Sequence, residues 1–399
     1  MIFIGELRTP NIVYYGNGSL SKLGKVASDL GSKALLISDK PMKDLGYVAR
    51  VISYLQGGGV NSITYLGVDS ETKDTHVEEA LTLFKEKECD LIVGLGGGSC
   101  IDAAKAVALL ARNESALIEY MGVENEIIND PVSVIAIPTT AGTGSEVTDA
   151  LVVTDTIKDL KMMIKQPKIM PQVAIVDPSL TLSSPKMLTV ATGIDALCHA
   201  LEAYISRKSH PLTNTLALSS IKLIIDNIQR VYEDGNDLEA RTQMALASMQ
   251  AGIAFSNSSV CLVHGMSRPI GALYKVPHGI SNAMLLSAVL EFSEGSCVEK
   301  LAQVGRTIME GMEQQSDVTV AKETVFFIKK LCVDLNIPNL KSWGINEEDF
   351  EQSLEKMATD ALTSGSPGNH PRVPSKEEII DLYRVSFTND YSTMKLLKK

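Results

Sequence analysis

The stretch LIVGLGGGSCIDAAKAVALL, residues 91–110, runs from an apolar, β-rich segment through three glycines into an alanine-rich helical pattern. A strand that turns directly into a helix is the repeating unit of folds in which helices cover a parallel sheet. Glycines let the backbone approach a ligand closely, and the exposed N–H groups of the following helix suit a pyrophosphate. The stretch therefore predicts an α/β fold, and its turn is either a phosphate-binding loop or simply a tight turn.

A second loop favours the phosphate-binding interpretation. The glycine turn lacks the spacing GxGxxG and is a weak signal alone, but PTTAGTGSE, residues 138–146, also follows a β-rich run and is dense in small hydroxyl residues. This loop could bond phosphate and ribose, or could be an ordinary Ser/Thr/Gly turn. Two such loops at the same ends of neighbouring parallel strands indicate one nucleotide-binding crevice. The candidate contacts in the two loops are Gly96, Gly97, Gly98, Ser99, Thr139, Thr140, Thr143 and Ser145.

The rest of the first half alternates in the same way. Strand character is predicted for residues 32–39, 61–68, 90–97 and 132–138, and helical spacing for residues 44–55 and 75–88. A β-rich block over residues 145–177 adds a predicted hairpin and a last strand. The alternation predicts a mostly parallel sheet with helices on both faces.

The predicted secondary structure changes after DPSLTLSSP, residues 177–185. Long helical patterns follow, over residues 192–207 and 237–255 for example, and strand signals almost vanish. A chain of 399 residues is also long for one core. We therefore predict an α/β dinucleotide-binding domain over residues 1–181 and a helical metal- and substrate-binding domain over residues 182–399.

Composition excludes several classes of partner. The chain is 45% hydrophobic and 21% charged, with a net charge of −11 and no cluster of basic residues. Nucleic acid and anionic membranes both require clustered cations, so neither is an expected partner. No run of about 18 apolar residues predicts a membrane span. Six cysteines without CxxC spacing predict reduced, buried thiols in a cytoplasmic protein.

Asp39 is the last residue of the strand predicted at residues 32–39. A carboxylate there can accept from the adenosine ribose 2′-OH and repel a 2′-phosphate, which favours NAD over NADP. The alternative is an aspartate that opens a turn before Lys40 and Pro41.

Four residues from separate parts of the chain form a candidate metal site. Asp195 and His199 are spaced i, i+4 on a predicted helix whose other residues are apolar, so they share one buried face, although a plain helix-surface pair is the alternative. His264 and His278, each before a glycine, add two imidazoles. This nitrogen and oxygen set suits Fe²⁺, Zn²⁺, Mn²⁺ or Co²⁺. His76, His210 and His370 are assigned to the solvated surface.

Beyond these residues, the chain resembles the iron-containing (group III) alcohol dehydrogenases, in the branch that includes lactaldehyde reductases and 1,3-propanediol dehydrogenases. The resemblance extends from YYGNGSLSKLG (14–24) to NHPRVPSKEEI (369–379). Its carriers, in order along the chain, are GGGSCIDAAKA, IPTTAGTGSEVT, AIVDPSL, TGIDALCHALEAY and HGMSRPIGALYKVPHGISNAMLL. It implies the dehydroquinate synthase-like fold of that family, with a cleft between the two domains, and a homodimer or larger homo-oligomer.

The resemblance also implies roles for individual residues. One divalent metal, Fe²⁺ first and Zn²⁺ second, would be bound by Asp195, His199, His264 and His278. The implied NAD site consists of Asp39, Gly96, Gly97, Gly98, Ser99, Asp102, Thr139, Thr140, Thr143, Ser145, Lys161 and Leu180.

The implied activity is a metal-dependent, NAD-linked alcohol dehydrogenase or aldehyde reductase that transfers hydride between nicotinamide and a small alcohol, diol or hydroxy acid. A zinc-dependent glycerol dehydrogenase and a 3-dehydroquinate synthase share the fold and are alternatives among enzymes, although the second would need clustered basic residues that the sequence lacks. An alternative of another class is a non-catalytic nucleotide-binding protein on the same scaffold.

Arg268 departs from the family pattern, because many relatives have histidine there. Arginine cannot take up a proton as histidine can. Three interpretations follow: proton release runs through water and ribose hydroxyls, Arg268 binds an anionic group of the substrate, or Arg268 pairs with an acid of the helical domain. Glu71-Thr72 is a second departure, since relatives often have Asn-Pro there.

Overall fold

The structure is a computed structural model that describes residues 4–121, 125–158 and 160–388. The outermost residues of both predicted domains therefore lie outside the described part. The strands are Ile12–Tyr15 (β1), Lys33–Asp39 (β2), Asn61–Val68 (β3), Leu91–Gly96 (β4), Val134–Pro138 (β5), Ala150–Asp155 (β6), Leu160–Lys165 (β7) and Val173–Val176 (β8). The helices between the strands are Leu23–Leu30 (α1), Lys40–Asp44 (α2), Tyr47–Gly57 (α3), Asp74–Glu86 (α4) and Gly98–Leu110 (α5).

Six of the strands form one parallel sheet in the order β1-β8-β5-β4-β2-β3, while β6 and β7 form a separate antiparallel hairpin. Every residue of β4 is buried, which explains its unbroken apolar sequence. Alternate residues of β2 enter two cores: Leu35 and Ile37 pack towards α4 and α5, whereas Ala34 and Leu36 pack towards α1 and α3. The predicted sheet with helices on both faces is confirmed.

The chain crosses from one side of the sheet to the other between β2 and β4. From β2 it adds β3 at one edge, then returns to place β4 on the opposite side of β2. The carboxyl ends of strands at such a switch point border the crevice where open α/β sheets bind ligands. Asp39 ends β2 and the glycine turn ends β4, so both border this crevice.

The described residues from 186 onward form helices and their connections. The helices are Lys186–Ile205 (α6), Pro211–Glu233 (α7), Leu238–Ser256 (α8), Leu262–Tyr274 (α9), His278–Ser293 (α10), Val298–Ile308 (α11), Asp317–Asp334 (α12), Leu340–Trp343 (α13), Glu347–Thr363 (α14) and Lys376–Thr388 (α15). The central helix, α6, is buried along almost its whole length. In the described part of the chain, no helix has the length and apolarity that crossing a bilayer requires.

The two parts also share a small core. Val147, Ala174 and Val176 of the α/β part pack with residues of α8. Gly144 and Gly252 allow this approach, since a Cβ on Gly144 would lie 2.6 Å from the Gly252 Cα. The last strand ends at Val176, but because packing continues across the junction the division at residue 181 stays a prediction.

Candidate active site

The predicted metal ligands converge on one point. Asp195 and His199 lie one turn apart on α6, His264 lies in the first turn of α9, and His278 begins α10. One side-chain donor atom from each residue lies within 4.8 Å of all the others. Asp195, His199 and His264 are buried, whereas the His278 side chain is 41% exposed. The cluster is therefore closed on the helical side and open at His278.

The spacing and chemistry of these donors fit a divalent transition metal. The Asp195 Oδ1 lies 3.6 Å from His264 Nε2 and 3.9 Å from His278 Nε2. Two atoms that each bind a tetrahedral ion at about 2.1 Å are about 3.4 Å apart. Imidazole nitrogen and carboxylate oxygen are ligands that Fe²⁺ and Zn²⁺ accept equally well. The donor set would thus hold one such ion once the Asn282 amide, whose Nδ2 lies 2.6 Å from Asp195 Oδ1, moves aside.

Glu202 orients the His264 ring. This buried carboxylate, one turn beyond His199 on α6, lies 2.7 Å from His264 Nδ1. It also accepts from the backbone N–H groups of Cys261, at 2.8 Å, and Val263, at 2.6 Å. An Nδ1–H donated to Glu202 leaves the Nε2 lone pair free towards the cluster, which is how carboxylates fix metal-binding histidines.

Asn282 lies one turn after His278 on α10, and its side-chain amide contacts the cluster. Its Nδ2 donates to Asp195 Oδ1 at 2.6 Å and lies 3.1 Å from His264 Nε2. Neither Glu202 nor Asn282 is among the site residues that the sequence predicts. Their signal was helical spacing, since Glu202 shares the face of Asp195 and His199, and Asn282 that of His278.

Burial and neighbouring charges set the protonation of the cluster. Burial lowers the pKa of His199 to about 4. Partial removal from water also lowers the pKa of His278, although its side chain stays open to solvent on one side, so both imidazoles are neutral near pH 7. Burial opposes the ionisation of Asp195, but the surrounding imidazoles outweigh it and lower the pKa of this carboxyl. Burial also disfavours a charged His264, yet its hydrogen bonds with Asp195 and Glu202 prevail and raise its pKa.

The two loops predicted to bind nucleotide adjoin each other. Thr139 N–H donates to the Gly96 carbonyl at 2.9 Å, and a Cβ on Gly98 would lie 2.9 Å from the Thr143 side chain. Gly96 has a φ of 147°, and a Cβ there would meet the Cys100 sulfur at 2.6 Å, so a larger residue does not fit. In addition, the Ser99 carbonyl accepts from the Thr72 hydroxyl at 2.8 Å, and a Cβ on Gly97 would lie 3.8 Å from the Thr140 side chain.

Asp39 stands beside this turn and also caps a helix. Its Oδ1 accepts from the backbone N–H of Met42 at 2.8 Å, and its Oδ2 lies 3.7 Å from the Cys100 sulfur. The turn-opening interpretation of Asp39 is therefore present in the structure. The ribose interpretation stays a prediction, and the two are compatible because the carboxylate has two oxygens.

A buried ammonium supports the second loop. Lys105 on α5 donates to Ser145 Oγ, at 3.1 Å, and to the carbonyls of Thr148, at 2.9 Å, and Ala150, at 2.8 Å. Asp102 accepts from Ser145 Oγ at 2.5 Å and from the Val152 N–H at 2.9 Å. Asp102 and Ser145, both predicted NAD contacts, thus also hold the loop against α5 and β6.

The two other predicted NAD contacts differ in placement. Lys161 on β7 pairs with Glu71 at 2.9 Å and lies near α9, where a Cβ on Gly271 would be 3.3 Å from its Nζ. The carboxylate of Glu71, which stands where relatives often have asparagine, therefore forms an ion pair with Lys161. Leu180 is fully buried in the core beneath the sheet, so its contact with NAD stays a prediction.

Arg268 lies one turn after His264 on α9 and is half-buried. Its guanidinium donates to Ser366 Oγ at 3.1 Å and contacts the Met163 sulfur at 3.2 Å. Both partners are neutral, so the described residues do not provide the ion pair with an acid that one interpretation required. The other two interpretations remain open.

The assignment of three histidines to the surface is wrong. His76, His210 and His370 are all buried, His370 completely. The His76 Nδ1 accepts from the Lys73 N–H at 3.3 Å, and the His370 Nε2 bonds the Ser293 hydroxyl at 2.7 Å. These rings serve helix ends and long-range packing, which the neighbouring sequence does not reveal.

Comparison with known proteins agrees with this geometry. The sequence profile described as iron-containing alcohol dehydrogenase matches residues 10–178, and the profile of the C-terminal part of the same family matches residues 189–387. Over 382 residues the chain is 37% identical to the 1,3-propanediol dehydrogenase of Klebsiella pneumoniae, covering 95% of this chain and 97% of that protein. Over 380 residues it is 34% identical to the lactaldehyde reductase of Escherichia coli (strain K12), covering 94% and 97%.

The fold also matches those of solved alcohol dehydrogenases. A crystal structure of a 1,3-propanediol oxidoreductase superposes with a TM-score of 0.93 at 36% identity, covering 96% of this chain and all of the other. An alcohol dehydrogenase from Oenococcus oeni superposes with a TM-score of 0.92 at 32% identity, covering 96% of this chain and 100% of the other. The chain therefore belongs to the iron-containing alcohol dehydrogenase family.

Proposed function

We propose that the protein is an NAD-linked alcohol dehydrogenase or aldehyde reductase that acts on small substrates with one divalent metal, Fe²⁺ first and Zn²⁺ second. The observation that carries the proposal is the convergence of Asp195, His199, His264 and His278 beside the nucleotide crevice. Family membership supports the reaction class. Named relatives include an NAD-dependent methanol dehydrogenase of Bacillus methanolicus, 34% identical over 371 residues.

The residues divide the work between the two halves. When bound, the metal supplies a Lewis acid that polarises the substrate oxygen. Asp195, His199, His264 and His278 would hold that ion, while Glu202 and Asn282 orient them. The loops at residues 96–99 and 138–146 hold the dinucleotide. The second of these loops lies close to α6, since a Cβ on Gly142 would lie 2.5 Å from the Thr192 Cβ. This proximity supports a common cleft for nicotinamide and metal, where position and exclusion of water would favour hydride transfer.

Location and assembly are part of the proposal. All six cysteines are free and buried, which supports a reducing, cytoplasmic environment. Family members are commonly homo-oligomers, and we propose a homodimer or larger assembly here.

The proposed function is tested with anaerobically purified protein. Elemental analysis is combined with a panel of alcohols and aldehydes and with NAD⁺ or NADH. Activity that is lost in air and restored by Fe²⁺ supports iron, whereas indifference to oxygen supports zinc. Protein that binds NADH but stays inactive with every metal and aldehyde tried would instead be a non-catalytic nucleotide-binding protein.

Metal binding should release a proton from His264. The raised pKa of His264 means that the metal-free cluster holds a proton there below that pKa, which lies above the usual 6.5. The ion must displace this proton, so metal affinity should fall about tenfold per pH unit below the His264 pKa and level off above it. Calorimetric titration with Zn²⁺ in buffers of different ionisation enthalpy measures the released proton. Metal uptake without proton release would contradict the assigned protonation.

Replacing Asp39 by Ser should shift coenzyme preference. Serine keeps an N-cap acceptor for the Met42 N–H but removes the charge that would repel a 2′-phosphate. Because like charges in contact cost several kcal/mol, the ratio of kcat/KM for NADPH to that for NADH should rise about tenfold or more. The control, Asp44→Ser, removes the same charge at the other end of α2 and should leave the ratio unchanged. An equal ratio in both variants would place the 2′-phosphate elsewhere.

A further inference from the structure

The guanidinium of Arg268 carries a charge that its described neighbours do not neutralise. Its hydrogen-bond partners are one hydroxyl, Ser366 Oγ, and one thioether, Met163 Sδ. Glu202 is the carboxylate that acts on it electrostatically, opposing the lowering of the Arg268 pKa by burial. The oxygens of Glu202 already accept from two backbone N–H groups and face His264 Nδ1. Arg268 is thus a fixed positive charge without an adjacent counter-ion.

Arg241 shows how this chain satisfies a guanidinium that has only a structural role. Among the described residues it has no ion pair with a carboxylate, yet it donates to three oxygens: the Gly235 carbonyl at 2.9 Å, Thr189 Oγ1 at 2.8 Å and the Ser184 carbonyl at 3.3 Å. A guanidinium has five N–H donors. Arg268 uses one of them on an oxygen and one on sulfur, a weak acceptor, so the described residues leave the other donors for a ligand.

The position of Arg268 places this charge where substrate must lie. It shares the face of α9 that carries His264, one turn away. Met163, which it contacts, belongs to β7 of the α/β part, so the guanidinium spans the junction of the two halves. Lys161, two residues before Met163 on the same strand face, acts electrostatically on His278. Because the Lys161 ammonium is already paired with Glu71 at 2.9 Å, Arg268 is the cation on this side that has no carboxylate partner among the described residues.

We propose that Arg268 binds the carboxylate of substrates that carry an alcohol or aldehyde at the opposite end, so that the enzyme acts on short ω-hydroxy acids and the corresponding aldehyde acids. The proposal rests on the proposed function. A planar carboxylate can accept two parallel N–H bonds from the guanidinium fork, which a neutral alcohol cannot. The metal cluster would hold the reacting oxygen and Arg268 the other end, which fixes both the orientation and the chain length of the substrate.

The experiment compares the metal-loaded wild-type protein with Arg268→Leu and Arg268→Lys. Substrates are 3-hydroxypropanoate, 4-hydroxybutanoate and 5-hydroxypentanoate, each paired with the neutral alcohol of equal chain length. The wild type should favour one of the acids over its alcohol. In Arg268→Leu, kcat/KM for that acid should fall about 100-fold more than kcat/KM for the alcohol, mainly through KM. Arg268→Lys should lie between, because it keeps the charge but not the fork.

Binding without turnover gives a second measurement. Butanoate and pentanoate, titrated calorimetrically into the wild-type protein, should bind at least tenfold more tightly than 1-butanol and 1-pentanol. Because a carboxylate could also bind the ion, the titration is repeated with metal-free protein, where the preference should persist. It needs no variant, so the result counts even if Arg268→Leu fails to fold. Binding of a sulfonate in preference to a carboxylate would replace the proposed substrate class by another anion.

Several outcomes overturn the inference. Equal losses for acids and alcohols in Arg268→Leu would assign Arg268 a structural role, and a wild type that prefers neutral alcohols would exclude acid substrates. The proposed function fails separately: protein with metal bound but inactive on every alcohol and aldehyde would refute the dehydrogenase. Carboxylate binding in the calorimeter would still report on Arg268 in that case.

Discussion

Replacing His264 by Ala is expected to remove both bound metal and activity. His264 is engaged at both ring nitrogens, since its Nδ1 faces Glu202 and its Nε2 lies 3.6 Å from Asp195 Oδ1. Without it, three donors remain and the carboxylate of Glu202 loses its partner. A Lewis acid contributes several kcal/mol to the transition state, so kcat/KM should fall about 10³-fold or more. Elemental analysis and aldehyde reduction with NADH measure the two losses.

Two further variants separate metal loss from general damage. His76→Gln removes a buried imidazole on α4, outside the cluster, and should retain metal and activity. Glu202→Gln keeps a hydrogen-bond acceptor but removes the charge behind His264, and should lower metal affinity about 10- to 100-fold. If His264→Ala retained full metal content and reduced aldehydes at the parental rate, the four side chains would not form the reaction centre.

Replacing Lys105 by Met should destabilise the α/β part by about 3–5 kcal/mol, because removal of one member of a buried charged group leaves the others uncompensated. Burial lowers the pKa of Lys105 to about 8, while Asp102, Glu146 and Asp149 favour its charged form, so it is mostly protonated at pH 7. Methionine fills the space but leaves the acceptors at Ser145, Thr148 and Ala150 without their donor. Urea denaturation followed by circular dichroism at pH 7 measures the change.

The matched control is Lys168→Met. Lys168 pairs with Asp130 at 2.9 Å on the surface, where ion pairs contribute at most about 1 kcal/mol. Lys105→Met should also weaken NADH binding, since Lys105 supports the loop at residues 138–146. Equal unfolding midpoints for the two variants would show that the buried ammonium is dispensable.

The sheet and most helices could be predicted because their signals are local. The strand predicted at 61–68 has those limits in the structure, and the helix predicted at 75–88 covers residues 74–86. β1 was missed for a physical reason. It is four residues long, partly exposed, and exists through pairing with β8 at the far end of the domain sequence. Neither hydrophobic period nor turn residues mark a strand whose formation depends on so distant a partner.

The sequence predicts the four donor residues of the candidate site but not the residues that surround them. The four donor residues were named because buried Asp and His are costly without a ligand or partner. The roles of Glu202 and Asn282 depend on how three helices cross, which spacing along one helix does not determine. His370 was misplaced for the same reason, since its partner Ser293 belongs to α10. Arg268 could be recognised as a departure, but its neutral neighbours Met163 and Ser366 come from distant segments.

The four donors come from three helices, α6, α9 and α10, that are separate along the chain. An ion held between them would act as a removable cross-link of the helical half. Its contribution to stability grows as RT ln(1 + [M]/Kd), about 2.7 kcal/mol at a hundredfold excess over Kd. The unfolding temperature of the helical half would then rise with the concentration of free metal, and a chelator would lower it without breaking any covalent bond.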